Sequence, residues 1–117
     1  MLKTIDPTTE ETVATYEKMS DAEMNAAIEA CHAAFLDWRH SSLKHRAGIL
    51  YAIADELEEA SEDFAQLMTR ETGKLLTDSR REIELCAAIC RWTAEQAPSA
   101  LADEEKTLVD GRRGIIS

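Results

Sequence analysis

The shortage of large apolar side chains constrains this chain more than any other feature. Leu, Ile, Val and Phe together supply 23 of 117 residues, while Ala alone supplies 18. Alanine favours helix but removes little surface from water, so such a composition yields helices that share a thin core. At this length the chain has room for one small domain, and a small domain buries a modest share of its surface. A partner, or a larger body around it, is therefore expected from composition alone.

Charge narrows the partners. Thirteen Lys and Arg stand against 23 Asp and Glu, a formal net charge of −10. With no clustered basic stripe, such a chain repels phosphate backbones and anionic lipid, so neither nucleic acid nor a membrane is expected as partner. The longest uninterrupted apolar runs, Ile49 to Ala54 and Leu85 to Cys90, are far short of a bilayer span. Three cysteines, Cys31, Cys86 and Cys90, make no even-numbered disulfide framework. A soluble, cytoplasmic protein with reduced thiols is the expectation.

Hydropathy patterning gives the elements. Leu2 to Ile5 and Val13 to Tyr16 read as strands around the turn-forming Asp6-Pro7-Thr8-Thr9-Glu10-Glu11. Ser20-Asp21-Ala22-Glu23 has capping-box spacing. Behind it Met24, Ala27, Ile28, Cys31, Phe35 and Trp38 recur at helical spacing, predicting a buried stripe, with Asn25, Glu29 and Asp37 outward. A second helix is predicted from Ser41 or Ser42, with Leu43, Ala47, Leu50, Ala54 and Leu57 inward and Ile49 and Ile53 widening its apolar face. Six acids fall between Asp55 and Asp63 and read as a solvated helix face. Ser61 is a candidate cap for a restarted helix carrying Phe64, Leu67 and Met68, stopped by Gly73.

The last long helix is predicted over Asp78 to Gln96, with Ile83, Cys86, Ala87, Cys90 and Ala94 inward and Pro98 just beyond its end. Leu101 to Lys106 reads as a polar connector. Thr107 to Ser117 reads as two strand segments around a turn containing Asp110-Gly111. The sequence given stops directly after Ile115-Ile116 and Ser117, which suggests a strand edge awaiting a partner. The fold class is mainly α with short β segments at both ends.

Candidate chemistry is sparse. Cys86 and Cys90, four apart, could join His32 or Cys31 around zinc, but both fall on an apolar stripe where free Cys packs as a small hydrophobe. Nothing places His32, His40 or His45 beside a cysteine, and His40 and His45 flank a helix-to-helix turn. Among 23 acids no pair stands out as an acid and base. Gly111-Arg112-Arg113-Gly114 lacks the strand-to-helix setting of a phosphate loop and reads as a hairpin turn. Trp38 reads as a packing residue; for Trp92, packing and stacking on a ligand stay open. No catalytic, cofactor-binding or metal-ligating residue is expected in the chain.

The order of short segments adds a further reading. Asp6-Pro7 with Glu10-Glu11, Ala26-Ala27-Ile28 through Ala33-Ala34-Phe35 and Trp38-Arg39, Arg46-Ala47-Gly48-Ile49-Leu50, Glu71-Thr72-Gly73-Lys74, and Cys90-Arg91-Trp92-Thr93-Ala94-Glu95 follow one another along essentially the whole chain. In this order and spacing they resemble the amino-terminal part of the NAD(P)-dependent aldehyde dehydrogenase superfamily. Cys90 to Val109, with Ala97-Pro98 and Ala102-Asp103-Glu104-Glu105, is most similar to the succinate-semialdehyde dehydrogenase branch. One departure is local: family members commonly carry Gly where this chain has Glu10, leaving that turn without its usual residue.

The resemblance implies a helical part of the cofactor-binding domain over residues 1–106 and the start of an oligomerisation hairpin over 107–117. It implies NAD or NADP as cofactor of the full subunit and none for this chain alone. Family subunits are several times longer, and their Pro-Trp-Asn segment, cofactor loop, general-base Glu and nucleophilic Cys match nothing here. Cys31, Cys86 and Cys90 lack that nucleophile's surroundings. The chain alone is thus expected to be inactive, with the remainder of a subunit, or other copies of itself, as partner. The alternative is a stand-alone acidic helical module for interaction or oligomerisation.

Overall fold

The computed structural model describes residues 1–116, so the reading of Ser117 as part of the last strand lies outside the described residues. Strand β1 (Leu2–Ile5) pairs antiparallel with β2 (Thr12–Tyr16), Leu2 opposite Tyr16 and Thr4 opposite Ala14. Asp6 builds the turn between them: its Oδ1 accepts from the Thr8 amide at 2.8 Å and the Thr9 amide at 3.3 Å. The turn then closes through Glu10 at φ 62°, a left-handed conformation that costs a side-chain-bearing residue about 1 kcal/mol. The turn lacking its usual glycine is therefore kept, and Glu10 carries the strain.

Four helices follow: α1 (Asp21–Trp38), α2 (Leu43–Glu59), α3 (Ser61–Thr72) and α4 (Leu76–Ala100). The capping box is present, the Ser20 Oγ accepting from the Glu23 amide at 3.3 Å while the Glu23 carboxylate accepts from the Ser20 amide at 2.8 Å. Those hydrogen bonds hold the Glu23 carboxyl below its ordinary value. Ser42 caps α2 by accepting from the His45 amide at 3.1 Å. Ser61 does not cap α3. Ala60 ends α2 and begins α3 without a side-chain bond, and Ser61 is the first helical residue.

Helix α4 corrects the predicted boundaries. It starts at Leu76 and runs through Pro98 to Ala100. Proline lacks an amide hydrogen, but so near the carboxyl end it breaks little, and the Leu101 amide still donates to the Ala97 carbonyl at 3.0 Å. The predicted connector also gives way to a strand. β3 (Glu104–Thr107) pairs with β4 (Arg113–Ile116), Glu104 opposite Ile116 and Thr107 opposite Arg113. Leu108 and Val109, read as strand, lie in the turn with Asp110 and Gly111, whose φ of 80° suits glycine.

α2, α3 and α4 pack on one another around Ala54, Ala65, Ile83, Ala87 and Ala94, the buried apolar residues. Four of the five are alanine, so the helices approach closely while burying little. Cys86, predicted inward, is exposed, and Cys90 is half-buried. The larger correction concerns α1, none of whose residues is buried. Its stripe is apolar as predicted, but among the described residues no element covers it. The chain consequently spans 68 × 41 × 27 Å with a radius of gyration of 21.0 Å. A compact chain of this length would have about 13 Å.

Candidate functional site

The segments singled out in the sequence meet one another in space. Arg46 on α2 reaches back to the end of α1: its Nη2 donates to the Trp38 and Arg39 carbonyls, each at 3.1 Å, and its Nε to the Ser41 Oγ at 2.8 Å. The guanidinium lies 5.6 Å from the Trp38 ring centroid, a cation–π contact. One arginine thereby adds to the hydrogen bonds on the carbonyls that close α1 and ties that end to the start of α2.

A second joint links the first hairpin to α3. Gly73 ends that helix at φ 72°, and a Cβ built on it would lie 3.0 Å from the Pro7 Cγ. Backbone conformation and the proline ring both disfavour a side chain there. Glu71-Thr72-Gly73-Lys74 is thus a helix stop against which the Asp6-Pro7 turn rests.

Two further joints bind α4. Arg91 donates from Nη2 to the Asp55 Oδ1 and the Glu58 Oε2, both at 2.7 Å, and from Nε to the Glu58 Oε1 at 3.2 Å; these bonds raise its pKa. Arg80 forms a two-pronged bond to Glu62 at 2.8 Å per contact, and Gln66 adds another at 2.9 Å. Led by the Arg80 hydrogen bonds, these hold the Glu62 carboxyl down at about 2. The six acids read as a solvated face are all exposed, and three of them, Asp55, Glu58 and Glu62, also bind partners 18 to 36 residues away. Between α3 and α4 the fully buried Ser79 shares a 2.9 Å hydrogen bond with Thr69.

Among the described residues no three His, Cys, Asp or Glu side chains converge on a metal position. His32, His40 and His45 are exposed, and no hydrogen bond joins any of them to a cysteine among the described residues. Gly111-Arg112-Arg113-Gly114 is occupied internally: the Gly111 amide donates to the Leu108 carbonyl at 2.9 Å, and the Arg112 amide to the Asp110 Oδ1 at 3.1 Å. Arg112 pairs with Asp110 and Arg113 with Glu105. Among the described residues the strands form two separate antiparallel hairpins, with no parallel strand-to-helix turn that offers its amides to a pyrophosphate.

Two apolar hollows complete the picture. One, of about 350 Å³, lies on α2 and α3 and is lined by Ile49, Ala52, Ile53, Glu56, Leu57 and Phe64. The other, of about 370 Å³, lies on α1 between Cys31, Ala34, Phe35 and Trp38. Trp38, read as a packing residue, is 42% exposed, and Trp92 is 64% exposed beside Leu85 and Ile89 on the outer face of α4. Helical spacing identified the stripe on α1. The hollow on α2 and α3 needed the angle between two helices and had no sequence signal beyond Ile49 and Ile53.

Fold and joints together define a class: a helical layer with a hairpin at each end, internally braced, with apolar side chains exposed on its faces. A family model described as the aldehyde dehydrogenase family matches residues 1–116. The succinate-semialdehyde dehydrogenase [NADP(+)] of Mycobacterium avium (strain 104) is 43% identical over 104 residues, covering 88% of this chain and 22% of its own length. The crystal structure of succinic semialdehyde dehydrogenase from Streptococcus pyogenes in complex with NADP+ superposes with a TM-score of 0.88 at 29% identity, over 97% of this chain and 25% of that one. A NAD-dependent benzaldehyde dehydrogenase from Corynebacterium glutamicum gives a TM-score of 0.80 at 26% identity, over 90% and 23%. The chain belongs to the aldehyde dehydrogenase family. It spans about a quarter of the length of these relatives.

Proposed function

We propose that this chain serves as the amino-terminal portion of an NAD(P)-dependent aldehyde dehydrogenase of succinate-semialdehyde type, a cytoplasmic enzyme that oxidises an aldehyde to a carboxylate. Its 43% identity to a succinate-semialdehyde dehydrogenase across 88% of its length carries this reading. Its own contribution is architectural. α1 to α4 form the outer helical part of the cofactor-binding domain, and the β3–β4 hairpin begins the oligomerisation structure. The division into residues 1–106 and 107–117 belongs to this proposal.

The joints support the architectural role: the segments that carry the resemblance are engaged with one another, and none places a thiol beside a base. No catalytic step falls on Cys31, Cys86 or Cys90, and nucleophile, general base and dinucleotide site belong to sequence beyond these residues. Two assays test this. The chain alone should reduce no NADP+ in the presence of succinic semialdehyde, and measurable NADPH formation overturns the architectural reading. Grafting this chain in place of the matching quarter of the Streptococcus pyogenes enzyme should leave an assembled, NADP+-dependent dehydrogenase; a graft that fails to assemble overturns the placement.

A further inference from the structure

We draw no further inference here: the strongest candidate, the apolar face of α1 together with the hollow beside Ile53 and Phe64 on α2 and α3, carries nothing because nothing in the structure shows what covers it.

Discussion

Replacing Gly73 with alanine probes the joint on which hairpin and helix meet, and its cost follows from two separable causes. At φ 72° an alanine sits in the left-handed region, at a cost of about 1–2 kcal/mol. Its Cβ would also lie 3.0 Å from the Pro7 Cγ, and displacing the ring adds about 1 kcal/mol. The lower entropy of an unfolded chain carrying alanine returns about 0.5 kcal/mol. The expected loss is about 2 kcal/mol, or about 8 °C in melting temperature for a chain of this size. Urea unfolding at fixed protein concentration measures it, provided the slope with denaturant stays constant. Repeating the substitution in a Pro7→Ala background removes the contact and keeps the dihedral strain, so the loss should fall by about 1 kcal/mol. A cost below about 0.5 kcal/mol would refute the left-handed stop. An identical cost in both backgrounds would refute the approach of Pro7.

Glu10→Gly should stabilise the chain by about 0.5 kcal/mol, the relief of left-handed strain less the glycine's entropy, whereas Glu10→Val should cost about 1 kcal/mol or more; opposite signs in thermal melts would contradict the φ of 62°. Acid should loosen α3 from α4 through Glu62. Its carboxyl is lowered from 4.5 to about 2 in the folded chain, so this contribution is complete above pH 4.5 and is lost as pH falls toward 2. A Glu62→Gln chain should show a flatter stability profile in that window, and an unchanged profile removes the Arg80 bond as its source. Ser79→Ala should cost about 1 kcal/mol by orphaning the Thr69 hydroxyl, and the double change with Thr69→Val should cost less than the sum of the singles, which a double-mutant cycle in urea reads directly.

Local chemistry made much of the fold legible. The Ser20 capping box, the Gly73 stop, the Asp6-Pro7 turn and the Asp110-Gly111 turn are settled by neighbours a few residues away, and each stands where the sequence places it. The boundaries that moved share a cause. Pro98 near a helix end breaks little, and Glu104 to Thr107 carries no alternating pattern because all four residues are exposed in a strand held by its backbone ladder. The candidate site was less legible, since charge runs and apolar stripes carry no record of what they face. Asp55, Glu58 and Glu62 lie on an exposed face as read, but their sequence holds no sign that Arg91 and Arg80 reach them from another helix, and the stripe on α1 is apolar whether or not anything covers it.

By itself the sequence determined the helical character, the hairpins at both ends, the thinness of the core and the membership of the aldehyde dehydrogenase family, because these follow from composition, periodicity and the order of short segments. Tertiary structure alone decided which segments touch: Arg46 on Trp38, Gly73 under Pro7, Arg91 between Asp55 and Glu58. It also decided that among the described residues nothing covers the apolar surface of α1 or the hollow beside Ile53. The physical reason is one of range. Caps and turns are satisfied within a few bonds of the chain, while burial and ion pairing depend on where distant helices come to rest.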